Sequence, residues 1–148
     1  MRCESAVTIA RSPEDVFPWL VEADKVPQWM GGIERYEPLT PGPLQVGSRI
    51  AQKLTVSGYT LEFELQVAAL APPRTATLRF EGSGFKAANE YTLTADAGGT
   101  RVVWIVSGDT TSFKAKLIAP MVQAKLQEKQ DADLARLRAL LEREAAAA

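Results

Sequence analysis

Three observations predict an α+β fold in which a curved antiparallel sheet of about seven strands wraps around a long C-terminal helix, with two small helices between strands 1 and 2. From Ile33 to Asp109 the chain runs in short alternating apolar and polar stretches broken by Gly and Pro, the texture of an antiparallel meander. Its last third carries a helical stripe, Leu126, Gln130, Leu134, Leu137 and Leu141, flanked by Lys, Arg, Glu and Asp. Between a first strand and the meander lie two short segments with helix-start signals. At 148 residues, 46% of them hydrophobic, the length fits one domain with one core, expected to span residues 1–148.

The elements follow in order. Cys3, Ser5, Val7 and Ile9 alternate with Glu4, Ala6, Thr8 and Ala10, the period of a half-buried strand. Ser12-Pro13-Glu14-Asp15 then supplies a hydroxyl cap, a proline in the first helical position and acids in the first turn. Val16, Phe17, Leu20 and Val21 form the apolar face of that helix, while Pro18 removes a backbone donor and predicts a kink or an early end. Asp24 is expected to cap a second helix carrying Val26, Trp29 and Met30, stopped by Gly31-Gly32.

Turn signals at Thr40-Pro41-Gly42-Pro43, Ser57-Gly58, Pro72-Pro73, Gly82-Ser83-Gly84 and Asp96-Ala97-Gly98-Gly99 leave strands near 33–39, 47–56, 59–70, 75–81, 86–95 and 100–108. In the clearest, Tyr59, Leu61, Phe63, Leu65 and Val67 face one side and Thr60, Glu62, Glu64 and Gln66 the other. One face of the sheet is therefore wet, and the other needs a cover. A helix over 121–143 would supply it, about 35 Å long at ~1.5 Å per residue, against a radius of gyration of about 15 Å. Pro120 is expected to divide this helix from a turn or kinked segment holding Phe113, Leu117 and Ile118, with Asp109 and Thr110–Ser112 as cap and turn. The final Ala145–Ala148 is given no role.

Composition narrows the chemistry. The chain has no histidine, so Ser-His-Asp and Cys-His triads, His-based zinc sites and histidine pH switches are excluded. A lone Cys3 allows no internal disulfide and reads as a core thiol. No clustered carboxylates offer metal-ligand spacing, and Gly82-Ser83-Gly84 lacks the Lys and following helix of a phosphate loop, so neither metal nor cofactor is expected. With 17 Lys+Arg against 18 Asp+Glu there is no electrostatic footprint for nucleic acid. No apolar run approaches the ~18 residues of a membrane span, and the N-terminus reads as a strand instead of a signal peptide, so the expectation is a soluble cytoplasmic protein.

The order of elements is a helix-grip arrangement. Within it, Ser12-Pro13-Glu14-Asp15-Val16-Phe17, Val26-Pro27-Gln28-Trp29 and Gly42-Pro43-Leu44-Gln45-Val46-Gly47-Ser48-Arg49 together resemble the START-like superfamily, specifically its bacterial polyketide cyclase/dehydrase and lipid-transport branch, called SRPBCC. The resemblance runs from about Glu4 to Glu142; Pro18 departs from it, since the resembling families keep a helix-compatible residue there. It implies a deep cavity between sheet and terminal helix that holds hydrophobic small molecules such as lipids, polyketides or hormones.

Strand alternation nominates Tyr59, Phe63, Phe80, Asn89, Tyr91 and Trp104 for the concave side, and Gln52 if its strand is phased by Ile50, Leu54 and Val56. The helix would add Phe113, Leu117 and Met121, while Trp29 and Met30 could close one end. For each aromatic the competing reading is ordinary core packing. Asn89, Gln52, Tyr59 and Tyr91 need hydrogen-bond partners on an apolar face, from a ligand, a water or a core network. Glu62, Glu64, Glu90 and Arg79 fall on the wet side. Lys114, Lys116 and Lys125 either guide an acidic ligand to the mouth or are simply solvated.

Three functions stay open. The first is binding or carriage of a small hydrophobic molecule; the second is a cyclase or dehydratase in which Tyr, Asn or Gln orients carbonyls and water. The third is a protein-interaction or quinone-chaperone module, which an exposed apolar patch at Trp29-Met30 would mark. Catalytic residues and oligomeric state are not assigned.

Overall fold

A computed structural model describes residues 1–147 of the chain, with burial given to residue 145. Seven strands, β1 (Arg2–Ile9), β2 (Ile33–Pro38), β3 (Arg49–Val56), β4 (Tyr59–Ala71), β5 (Thr75–Gly82), β6 (Phe85–Asp96) and β7 (Gly99–Thr110), alternate with three helices: α1 (Pro13–Val21), α2 (Val26–Trp29) and α3 (Phe113–Ala147). The strands form one antiparallel sheet in the order β1-β7-β6-β5-β4-β3-β2. Hairpins join β2 through β7, and β1 closes onto the last strand, so α1 and α2 carry the chain from one edge of the sheet to the other. Together with α3 across the concave face, this is the helix-grip fold.

The inward phase is uniform. Ile50, Gln52, Leu54 and Val56 on β3 are buried in alternation with exposed or half-buried neighbours, as are Ala76, Leu78 and Phe80 on β5 and Val102, Trp104 and Val106 on β7. Glu62, Glu64, Arg79 and Glu90 point outward, and Glu64 pairs with Arg49 across the outer face.

Three local expectations change. Lys25, not Asp24, occupies the N-cap of α2, in helical geometry and without a side-chain bond; the Asp24 carbonyl instead accepts from the Gln28 amide at 3.0 Å. Pro120 does not divide α3, which is continuous over 35 residues. The donor lost at Pro120 would have served the Lys116 carbonyl, and both residues are exposed, so water can take its place. Pro18 lies within the nine residues of α1, which ends three residues after it, and its missing donor falls opposite exposed Glu14. Finally, Asp109 and Thr110 complete β7, and Ser112 alone caps α3, its hydroxyl accepting from Ala115 N at 3.1 Å. Ala148 lies outside the described residues.

Edge strand β1 would expose a row of free backbone groups, and α3 covers them with side chains. The Gln127 amide accepts from Glu4 N at 3.3 Å and donates to Glu4 O at 2.9 Å, as a neighbouring strand would. Ser5 donates to Asp131, and Ala10 N donates to Glu142 at 2.9 Å. The Cys3 thiol is buried against the Gln123 carbonyl, and burial pushes its pKa up. It packs as a core thiol, and burial favours its protonated form.

Candidate functional site

Two apolar clusters fill the space between sheet and helix. The larger gathers Trp29, Leu78, Tyr91, Trp104, Leu134, Leu137 and Leu141; the smaller holds Leu54, Val56, Leu61, Phe85, Ala115 and Val122. A cavity of about 60 Å³ lies at the seam. Its walls come from both clusters: Met30, Phe80, Trp104 and Val106 from one, Leu54, Val56, Leu61, Phe85 and Val122 from the other, with Met1, Phe63 and Leu126 completing the apolar lining. Gln52, Asn89 and Lys129 are its polar members.

Of the residues nominated from sequence, Met30, Gln52, Phe63, Phe80, Asn89 and Trp104 meet at this cavity. Trp29 and Tyr91 lie behind it, framing Trp104: Trp29 edge-on at 5.6 Å and Tyr91 stacked at 5.6 Å. Tyr59 borders a shallow outer hollow with Ser83 and Lys114. Phe113, Leu117 and Met121 are corrected outright, because they are 76%, 65% and 49% exposed on the outer side of α3. The helix presents Ala115, Val122 and Leu126 inward instead. Trp29 and Met30 are buried, so the exposed patch expected to mark an interaction module at that position is absent.

The polar wall is partly satisfied from within. Trp104 Nε1 donates to Asn89 Oδ1 at 2.9 Å, and Trp29 Nε1 donates to the Trp19 carbonyl at 2.7 Å. The Gln52 amide reaches only the Met30 sulfur, at 3.6 Å, a weak acceptor. Among the described residues this is its one side-chain hydrogen bond. Burial raises the Tyr91 phenol well above its ordinary pKa, so it stays protonated at physiological pH and can donate but not act as base.

Lys129 was not among the sequence candidates. Its side chain is 13% exposed and reaches Asp133 at 2.5 Å, and burial pulls its pKa below the usual lysine range against the attraction of that carboxylate. Asp133 is buried and also accepts from Gly31 N at 3.0 Å and from Arg136 Nη1 at 3.3 Å, while Arg136 donates to the Trp29 carbonyl at 2.8 Å. This latch joins α3 to the end of α2 and fixes the Lys129 side chain, which also contributes to the cavity lining. Periodicity could have found it: Lys129 lies one turn before inward-facing Asp133 and three residues after Leu126.

Chemically, the cavity offers an apolar surround with the amides of Gln52 and Asn89 from two strands of the sheet and the side chain of Lys129 from the helix. Among the described residues no group of His, Cys, Asp and Glu could hold a metal ion. No described helix is long and apolar enough to cross a membrane.

The profile of the family described as polyketide cyclase / dehydrase and lipid transport matches residues 1–142. Among curated proteins no sequence matches the chain. Among solved structures, TTHA0849 from Thermus thermophilus superposes with a TM-score of 0.75 at 18% identity, over 93% of this chain and 94% of that one. Ara h 8.0201 gives a TM-score of 0.71 at 16% identity, over 95% and 96%. DynU16, a protein of the dynemicin biosynthetic locus, gives 0.65 at 17% identity, over 95% of this chain and 47% of that one. At such identities the likeness establishes the shared fold.

Proposed function

Given that the chain belongs to the polyketide cyclase / dehydrase and lipid transport family, we propose that it binds a small, largely hydrophobic molecule between the concave face of the sheet and α3, with the molecule's polar end at Gln52 and Lys129. The observation that carries this reading is the apolar cavity at the seam of two clusters, its lining apolar but for Gln52, Asn89 and Lys129.

At about 60 Å³ the cavity holds no more than a few waters, short of the ~150 Å³ that accepts a benzene ring. Binding therefore moves the first turns of α3 outward. Before Gln123 only Ala115 and Val122 on this helix are buried, whereas Gln130, Asp133, Leu134, Leu137 and Leu141 are all 1% exposed or less. The bonds from α3 to β1 also begin at Gln123. The helix is thus pinned along its second half and lightly seated along its first.

Titration with a fluorescent anionic naphthalene probe and a panel of fatty acids, read through the probe and through tryptophan emission, tests this. Val122→Trp fills the cavity and should weaken binding about tenfold or more while the far-ultraviolet circular dichroism stays native. Lys129→Met should weaken anionic ligands more than neutral ones. Unchanged affinity in a folded Val122→Trp protein would overturn the assignment of the site.

A cyclase or dehydratase reading has one observation in its favour: Lys129, its pKa pulled down by burial, stands at the wall of the same cavity and can exchange a proton with a bound carbonyl compound. Loss of turnover in Lys129→Met with retained binding of a neutral substrate would support it.

A further inference from the structure

The apolar residues that turn away from the cavity form a surface of their own. Phe113, Leu117 and Met121 follow one another at one-turn spacing and are 76%, 65% and 49% exposed. At about 100° per residue, Pro120 and Ala124, both exposed, fall beside them, giving an apolar arc roughly 100° wide. The same projection sets Lys116 on one border and Lys114 and Lys125 on the other. From 113 to 127 the sequence contains these three lysines and no acid, in a chain whose net charge is −1. Lys125 has one acidic partner, Glu128 at 3.5 Å, and among the described residues Lys114 and Lys116 have no salt bridge.

We propose that this face of α3 docks onto an anionic lipid bilayer, lying in the plane of the interface. An apolar arc bordered by lysines on both sides matches a layer that is apolar at depth and negative at its surface. Protein partners of equal apolarity would not call for lysines on both borders. The other large exposed apolar residues, Leu39 and Val46, lie in the β2–β3 connection, which borders a separate hollow with Glu22, Asp24 and Pro38. Position adds to the argument: Leu61 lines the cavity and also borders the outer hollow shared with Tyr59, Ser83 and Lys114. Docking brings the bilayer against the lightly seated end of α3, beside the cavity wall.

Flotation with phosphatidylglycerol–phosphatidylcholine vesicles, against phosphatidylcholine alone, tests the proposal. The protein should float with the anionic vesicles and detach as salt rises. Leu117→Glu, and separately Lys114→Glu with Lys116→Glu, should each weaken binding about tenfold, and Lys53→Glu on the outer face of the sheet should not. These side chains are exposed, so the variants should keep native circular dichroism. Absence of binding to anionic vesicles, or equal binding by Leu117→Glu, overturns the proposal. So does a dimer in sedimentation that Leu117→Glu dissociates while vesicles capture neither form, which assigns the face to a second copy. Probe titration without vesicles reports on the cavity alone, so failure of one reading is distinguishable from failure of the other.

Discussion

Replacing Asp133 by Asn removes one negative charge from the latch with almost no change in volume. The amide oxygen can still accept from Gly31 N, so the loss falls on the two cations. The guanidinium of Arg136 is half exposed, and its pair contributes below about 1 kcal/mol. Lys129 is different, because its side chain is 13% exposed and loses its only carboxylate partner among the described residues. Breaking such a pair from one side costs about 3–5 kcal/mol. Deprotonation sets a ceiling: bringing an amine of ordinary pKa 10.5 to neutrality at pH 7 costs about 4.8 kcal/mol at ~1.36 kcal/mol per pH unit. The expected destabilisation is therefore about 3 kcal/mol, or a fall in Tm of roughly 6–12 °C for a chain of this size. Urea unfolding followed by tryptophan emission measures it. Lys129→Met in the Asp133→Asn background should recover about 2 kcal/mol, since the orphaned charge is gone. A loss below about 0.5 kcal/mol, or simple additivity of the two substitutions, would refute the view that Asp133 holds a desolvated ammonium.

Other outcomes follow from the same geometry. Gly84 has φ +82, and a Cβ there would stand 2.5 Å from the Ser112 hydroxyl and 2.6 Å from the Ala115 methyl. Gly84→Ala should cost about 2 kcal/mol and speed amide exchange in the first turns of α3 before the rest of the helix. Gln130 is fully buried with its Oε1 unpaired, while its amide donates to the Trp104 carbonyl at 3.2 Å. Relief of the orphaned acceptor offsets loss of that bond, so Gln130→Met should change the unfolding free energy in urea by less than about 1 kcal/mol. The bond from Ala10 N holds the Glu142 pKa below its ordinary 4.5. A lowered folded value means stability present above pH 4.5 and lost as pH falls through the folded value. Because the carboxylate is partly solvated, the gain is about a few tenths of a kcal/mol; the drop in stability between about pH 6 and pH 3 should shrink correspondingly in Glu142→Gln.

The strands were legible because inner apolar positions mostly alternate with charged, polar or small outer ones, and a phase set by Ile50, Leu54 and Val56 leaves Gln52 no other side to face. The helix was harder to read. Residues 113–126 carry two apolar stripes, Phe113-Leu117-Met121 and Ala115-Val122-Leu126, and the larger side chains suggested the wrong one as inward. Volume is a poor guide there, since the helix approaches the sheet closely enough at Ala115 that only small residues fit beside Gly84. Pro120 suggested a break because its lost bond was counted without asking whether water could replace it. The spacing of Lys129 from Leu126 and Asp133 marks it as inward-facing, but a lysine on a helix is ordinarily solvated, and its burial follows from the fold. Tyr59 and Tyr91 share the inward phase with the lining residues, but alternation says nothing of depth along a strand.

The side-chain seam between α3 and β1 joins two elements at opposite ends of the described order. Glu4 meets Gln127 across 123 positions, and Ala10 meets Glu142 across 132. Each such contact closes a loop of that length, an entropic cost that grows only slowly with length but is met late. While the chain emerges from the ribosome, β1 through β7 can pair as an open trough whose apolar floor has no roof. The cavity is complete only once α3 lies across that floor. The first turns of α3 hold few of these long-range contacts, so under the proposed reading the same turns that complete the roof also open it to a ligand.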